Sequence, residues 1–232
     1  MLKIGGLTAW YVKNKNILID LSFEIKEHSI TGLLGLNGAG KTTLINILSS
    51  VHKSYKAQEV LYKGDLIDLN NVDWKNKRYT VFTEEQAFSY WTFDEYMHFL
   101  HKAYQKDVNK DHMGRLIEGF RFEDYVNCPI KNLSTGNRKK VFLITGFALE
   151  LPLLILDEPL DGLDFLSSEF LYKEILEYKK YGSLVMSSHI AESIEKTCDQ
   201  VFILQDGNIE MHILENNSDI RSYLNGWLHE GK

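Results

Sequence analysis

The segment from Gly35 to Thr43 constrains this chain more than any other part of it. It reads Gly-Leu-Asn-Gly-Ala-Gly-Lys-Thr-Thr, which matches the spacing G-x-x-x-x-G-K-[ST]. The apolar run Ile30 to Leu34 leads into it, and the apolar-periodic run Leu44 to Leu48 leaves it. The glycines therefore fall between a predicted strand and a predicted helix, the context in which this pattern binds phosphate.

This spacing has a direct chemical interpretation. The glycines let backbone N–H groups turn inward around an anion, and the following helix adds the positive end of its dipole. Lys41 neutralises terminal phosphates, and the Thr42 hydroxyl is predicted to bind Mg²⁺. The alternative is a glycine-rich turn with a solvated lysine. The predicted phosphate-binding residues are Gly35, Asn37, Gly38, Ala39, Gly40, Lys41, Thr42 and Thr43.

Composition limits the class of protein. Among 232 residues, 44% are hydrophobic and 25% are charged, as is usual in globular chains. The net charge of −6 gives no general reason to expect nucleic acid as a partner. No apolar run has the length of a membrane span or a signal peptide, so we expect a cytoplasmic chain. Cys128 and Cys198 lack metal-like spacing, and neither zinc nor a disulfide is predicted.

The remaining pattern predicts an α/β fold. The segments Leu2 to Val12 and Ile17 to Ile25 are typical of a strand hairpin, and Val60 to Leu69 resembles a short strand pair. Beyond Pro152, predicted strands and helices alternate, which favours a parallel sheet. The predicted strands there are Leu153–Leu156, Ser183–Ser187 and Val201–Leu204, and the predicted helices are Phe165–Tyr181 and Ile190–Thr197. For the tail after Asn208, including Asp219 to His229, no role follows from the sequence.

The middle of the chain has a different character. Residues 85 to 149 are predicted to form a helical insertion, with Ser134 capping a long helix that runs toward Leu149. The stretch Phe88 to Tyr104 is rich in aromatic residues. A base-stacking surface is one interpretation, but aromatic residues at helical spacing usually belong to a core or to a protein contact.

Two adjacent carboxylates follow the apolar strand Leu153 to Leu156. Asp157 and Glu158 would then lie at the carboxyl edge of a buried parallel sheet, where open α/β sheets bind ligands. Beside a phosphate loop, Asp157 is predicted to hold Mg²⁺ and Glu158 to act as general base on the attacking water. Alone, such a pair more often begins a helix.

Taken in order, these residues resemble the nucleotide-binding subunit of an ABC transporter along almost the whole chain. The resemblance rests on motifs that occur in the family's order. Those motifs are Gly35–Thr43 as Walker A, Leu133–Asn137 as the signature segment (usually LSGGQ), Leu153–Glu158 as Walker B, Asp161–Asp164 as the D-loop, and His189 as the switch histidine.

The resemblance implies an architecture. It predicts a P-loop NTPase with a RecA-like core, an N-terminal antiparallel β subdomain and an inserted α-helical subdomain. The chain would form one nucleotide-binding domain over residues 1–232. Its core would comprise residues 1–84 and 150–232, and its helical subdomain residues 85–149.

It also implies residue roles. Tyr11 would stack on adenine, although the neighbouring Trp10 leaves a mere packing role open. Ser134 and Gly136 would contact the γ-phosphate of an ATP bound to the opposite subunit. Asp164, in the D-loop, is placed among the nucleotide-binding residues. His189 would donate to the γ-phosphate beside Glu158. The other histidines, His52 among them, are interpreted as structural or solvated.

Two departures from the family pattern stand out. In the signature segment, Thr135 replaces the first glycine and Asn137 replaces the glutamine. The family usually places a magnesium-sensing glutamine in the loop that follows Val81 to Phe82. Here the predicted occupant is Glu84, a third candidate metal ligand, with Gln86 as the alternative.

The implied function is ATP hydrolysis, with ATP and Mg²⁺ as cofactors. The subunit would dimerise on ATP and drive a separate integral membrane permease at the inner face of the cell membrane. The altered signature and short tail favour an exporter of a peptide, antibiotic or lipid-type substrate. A soluble ABC-type ATPase acting on ribosomes or DNA is the alternative.

Overall fold

The computed structural model describes residues 1–83, 88–107 and 109–214, and two β-sheets dominate it. The smaller sheet has strand order β2-β1-β5-β6, with β4 also pairing with β1, and its pairs are antiparallel. Because apolar and polar residues alternate along β2, one face of this sheet is buried. Its strands are β1 (Leu2–Val12), β2 (Lys15–Ile25), β4 (Tyr55–Lys56), β5 (Glu59–Tyr62) and β6 (Asp65–Leu66).

The larger sheet carries the phosphate loop. Its strand order is β11-β10-β3-β9-β8-β7, parallel except for the edge strand β11. Every residue of β3, β7, β8 and β9 is buried, which explains why their sequences are mostly apolar and why β8 is apolar throughout. The strands are β3 (Ile30–Gly35), β7 (Arg78–Val81), β8 (Leu153–Leu156), β9 (Ser183–Ser187), β10 (Gln200–Gln205) and β11 (Asn208–Ile213).

Side-chain caps set the starts of several helices. Thr92 and Glu95 form a reciprocal capping box on α3, and Ser134 accepts from the backbone N–H of Asn137 on α5. Asp164 caps α6 through Ser167. The helices are α1 (Lys41–Leu48), α2 (Val72–Lys75), α3 (Phe93–Tyr104), α4 (Lys110–Gly119), α5 (Thr135–Ala148), α6 (Phe165–Glu177) and α7 (Ala191–Thr197).

Two hydrophobic clusters hold these layers together. One joins helices α3 and α5 to the larger sheet, and the other joins α1 and the smaller sheet to its opposite face. At the end of α1, buried Arg78 donates to the Ser49 carbonyl and to the Ser50 hydroxyl, 2.8 Å away. Burial lowers the pKa of Arg78 to about 10. Its cation thus satisfies the negative end of the helix that follows the phosphate loop.

The predicted fold class is confirmed, with its antiparallel β subdomain and its mixed α/β core. Some boundaries were wrong. The helix from Phe165 ends at Glu177 and is followed by a 3₁₀ turn, Tyr178–Lys180, and the pair predicted over Val60 to Leu69 is shorter. Strand β11 was not predicted from the sequence. The predicted segment Asp219 to His229 lies outside the described residues.

Within residues 1–83, 88–107 and 109–214, no helix combines the length and the apolar composition needed to cross a bilayer.

Candidate nucleotide-binding site

The phosphate loop, Gly35 to Thr43, leaves the buried strand β3 and enters α1. Residues 36–38 are exposed, whereas Gly40 and Lys41 are buried at the start of the helix. Gly40 has φ 105°, and a Cβ there would lie 2.6 Å from the Leu18 side chain. Only glycine fits this position, so the turn that aims the loop backbone is specified by the sequence.

Lys41 lies across the base of the loop. Its side chain is buried, and its ammonium donates to the Gly35 carbonyl at 2.6 Å and to the Leu36 carbonyl at 3.4 Å. The cation is therefore held where the loop begins, next to the backbone that encloses an anion in this motif.

A cavity of about 350 Å³ lies over the loop. It brings together most of the residues predicted to bind phosphate and metal, together with the predicted general base. The cationic, hydroxyl and backbone groups that line it suit a nucleoside triphosphate. Its lining residues are Tyr11, Ile17, Leu36, Asn37, Gly38, Gly40, Lys41, Thr42, Thr43, Thr83, Asp157 and Glu158.

Asp157 is fixed by the strand beside it. Only 4% of its surface is exposed, and its Oδ1 accepts a 2.7 Å hydrogen bond from the Ser187 hydroxyl at the end of β9. The Thr42 hydroxyl and the Asp157 carboxylate line the same cavity and are oxygen donors of the kind that Mg²⁺ prefers. They therefore fit the predicted metal. Glu84 and its alternative Gln86 lie outside the described residues.

Glu158 has an unusual backbone and well-defined partners. Its φ is 46°, in the left-handed region, and its N–H donates to the Ser187 hydroxyl at 2.8 Å. Its Oε2 accepts from His189 Nδ1 at 2.9 Å and from the His189 N–H at 3.3 Å. The structure thus brings the predicted base and the predicted switch histidine into direct contact. Asp161 lies beside them, with side-chain oxygens and ring nitrogen all within 4.8 Å.

Tyr11 and Trp10 occupy different surroundings. Tyr11 is 57% exposed and lines the cavity. Trp10 is half-buried, and among the residues that the structure describes it is not one that lines the cavity. The Thr43 hydroxyl donates to the Tyr11 hydroxyl at 3.4 Å, and the His52 ring lies 4.6 Å from the Tyr11 ring, tilted by 59°. Tyr11 is thus supported from within the protein while part of it faces the cavity.

The signature segment, Leu133 to Asn137, lies elsewhere. Ser134 Oγ accepts from the Asn137 N–H at 3.2 Å, and the Gly136 backbone packs against the D-loop carbonyl of Gly162. Asp164 accepts from the Ser167 N–H and hydroxyl and from Lys140, and these bonds hold its pKa well below the ordinary value. Of the residues that the structure describes, the cavity lining includes neither Ser134, Gly136 nor Asp164.

Gly136 gives a direct test of this packing. A Cβ at this position would lie 2.3 Å from the Gly162 carbonyl oxygen, so Gly136→Ala must displace backbone. We expect a loss of about 1–3 kcal/mol in the free energy of unfolding, measured by denaturant titration. Gly114→Ala is the matched control, since Gly114 is an exposed residue of helix α4 with open space where a Cβ would lie, and the variant should gain about 0.5–1 kcal/mol. Equal effects at the two glycines would contradict this account.

Sequence reasoning missed three contributors. Ser187 bonds both carboxylate-bearing residues of Walker B, His52 supports Tyr11, and Lys139 donates to the Glu158 carbonyl. In the sequence, Ser187 was identified only as the last residue of the predicted strand Ser183–Ser187. For His52 and Lys139 no sequence signal existed, because each contact joins residues far apart in the chain.

The geometry first defines a class. A phosphate loop joins a buried parallel strand to a helix, the Asp-Glu pair follows another strand of that sheet, and β9 lies between the two strands. This is the arrangement of a P-loop NTPase.

Comparison with known proteins then defines the family. The model of the family described as "ABC transporter" matches residues 18–161. "Putative ABC transporter ATP-binding protein AlbC" of Bacillus subtilis (strain 168) is 36% identical over 227 residues, covering 95% of each chain. A solved "Structure of ATP binding subunit of ABC transporter" is 26% identical, with TM-score 0.83, covering 97% of this chain and 93% of that one. "Phosphate import ATP-binding protein PstB" of Saccharolobus solfataricus is 24% identical, covering 86% and 82%. This chain belongs to the ABC transporter family, as one of its ATP-binding ATPase cassettes.

Proposed function

We propose that this chain hydrolyses ATP as a subunit that dimerises on ATP and powers a separate membrane permease, and that the permease exports its substrate. The observation that carries the proposal is the division of the site. The phosphate loop, Asp157 and Glu158 share one cavity, whereas Ser134 and Gly136 lie outside it.

The residues divide the chemistry as follows. The loop N–H groups and Lys41 bind the phosphates, and Tyr11 stacks on the adenine. Thr42 and Asp157 would hold Mg²⁺, with Glu84 as third candidate, and the ion would neutralise phosphate charge. Glu158 accepts a proton from the attacking water. His189, whose Nδ1 lies 2.9 Å from Glu158 Oε2, orients the Glu158 carboxylate.

The signature segment supports dimerisation. Ser134 stands at the N-terminus of α5 with the backbone of Gly136 beside it, which suits an anionic group. Since these residues lie outside their own chain's cavity, the phosphate they suit belongs to a second ATPase subunit, identical or related. A head-to-tail dimer supplies it and encloses two ATP molecules.

The aromatic surface of the helical segment supports a protein partner. Phe88, Trp91 and Phe99 pack on one another with centroids 4.9 to 5.5 Å apart, and Tyr90 beside them is 78% exposed. We propose that this surface contacts the permease at the cytoplasmic face of the membrane.

The signature segment bears on the direction of transport. Its departures from the usual family sequence, at Thr135 and Asn137, support export of a peptide, antibiotic or lipid-type substrate, whereas the PstB relative is named for import.

Purification from membranes tests the partner. A tagged chain extracted in mild detergent is expected to bring with it a protein with several membrane spans, identified by mass spectrometry, and to hydrolyse ATP faster in its company. Tyr90→Asp should lose this partner, while Leu66→Asp, equally exposed at 77% on β6, should keep it. Recovery of ribosomes instead would favour the soluble ABC-type ATPase.

The direction of transport is tested by reconstituting the purified chain and its permease into membrane vesicles. In inside-out vesicles, an exporter accumulates substrate when ATP is added outside. Accumulation in right-side-out vesicles with external substrate and enclosed ATP would instead contradict the assignment as an exporter.

A further inference from the structure

Helix α5 joins the signature segment to the Walker B residues of its own chain. Ser134 caps the helix, and the buried residues Lys139 and Lys140 follow further along it. Lys139 Nζ donates to the backbone carbonyl of Glu158, and Lys140 Nζ contacts Asp164 Oδ2 at 2.9 Å. The same helix thus begins at the segment proposed for the partner's ATP and touches the chain's own catalytic carboxylate residue.

The backbone conformation of Glu158 requires hydrogen bonds that hold it in place. A glutamate with φ 46° is strained, and this conformation persists only where surrounding bonds fix it. On the N-terminal side, the Glu158 N–H donates to Ser187 Oγ at 2.8 Å. On the C-terminal side, the carbonyl accepts from Lys139 and, at 3.3 Å, from the Asp161 N–H. Lys139 therefore supplies the side-chain bond on that side of the residue.

Packing alone does not explain a lysine here. Lys139 is 6% exposed, and desolvation lowers its pKa, opposed by the attraction of Asp161, Asp157 and Glu158. A methionine would fill similar volume without the cost of burying a cation. The cation is thus retained at a cost where its donor meets the Glu158 carbonyl.

We propose that Lys139 is a positioning residue for Glu158, which holds the backbone of the general base so that its carboxylate faces the attacking water. This inference rests on the proposed role of Glu158. We expect Lys139 to affect kcat rather than KM for ATP, because within the described ranges it is not among the residues that line the nucleotide cavity.

The test compares Lys139→Met, which keeps the volume and removes the donor, with Lys139→Arg, which keeps a donor. For Lys139→Met we expect kcat to fall by about 10- to 100-fold with KM for ATP within about twofold, as for a misplaced catalytic group. Lys139→Arg should recover most of kcat. Lys173→Met, an exposed lysine of α6, is the control and should match the wild type.

Each outcome bears on the proposal. A Lys139→Met variant with wild-type kcat overturns it, as does a Lys139→Arg variant as slow as Lys139→Met. If Lys139→Met unfolds at a lower temperature than wild type, the kcat of Lys139→Arg decides between the two. Glu158→Gln separates the failures: if it is inactive while Lys139→Met is normal, only this inference fails, whereas an active Glu158→Gln removes the proposed function of Glu158 itself.

Discussion

Replacing Glu158 with glutamine is expected to lower steady-state ATP hydrolysis by about 100- to 10,000-fold, the range that a general base contributes. The amide has nearly the volume of the carboxylate and can still accept from His189, 2.9 Å away in the native structure. It cannot take a proton from water. Because the phosphate loop is unchanged, the affinity for ATP should stay within about threefold of wild type, as for a group that acts only in the transition state.

The same variant should reveal the dimer. With hydrolysis blocked, ATP stays between the two subunits, so size-exclusion chromatography in ATP and Mg²⁺ should show a species of twice the monomer mass. Asp161→Asn is the matched control, since its carboxylate lies in the same group with Glu158 and His189 but is not assigned as base. It should hydrolyse ATP much faster than Glu158→Gln. Wild-type turnover by Glu158→Gln would refute the assignment.

Local pattern predicted the buried strands and the loop well. β3 and β8 are apolar runs buried on both faces, and the sequence states this directly because every residue faces a core. Strand β11 was missed for the opposite reason. Its residues, Asn-Ile-Glu-Met-His-Ile, are mostly exposed, and it becomes a strand by pairing with β10. Pairing with β10 stabilises β11, and the apolar pattern of the β11 residues alone does not indicate that pairing.

The candidate site likewise has features that the sequence predicts and contacts that it does not. The phosphate loop and the Asp-Glu pair are contiguous motifs, so their chemistry follows from short spacings. The contacts of Ser187 with Asp157, His52 with Tyr11 and Lys139 with Glu158 join residues from different elements. Which side chains meet there depends on strand order and helix rotation. A motif read from one sequence specifies neither.

Removal of the Lys41 side chain is the second large effect that we expect. Lys41→Ala should weaken ATP binding by about 10- to 150-fold. The ammonium has three N–H groups and two of them bond the Gly35 and Leu36 carbonyls, so one is left for a charge-assisted hydrogen bond to phosphate, which contributes about 1.5–3 kcal/mol. Titration calorimetry with ATP and Mg²⁺ measures the loss. Lys53→Ala, an exposed lysine beyond α1, is the control and should bind ATP as wild type does.

Lys41 also bonds the Gly35 and Leu36 carbonyls, so a distorted loop is the competing explanation for weaker binding. Adenosine separates the two explanations, since it carries the adenine that we propose stacks on Tyr11 but carries no phosphate. If Lys41 acts through phosphate charge, the variant loses most of its preference for ATP over adenosine while adenosine affinity holds. Equal weakening of both ligands would indicate a distorted cavity, and undiminished ATP affinity would contradict the phosphate-binding role of the loop. The ratio of the two affinities therefore measures what the cation contributes to binding phosphate.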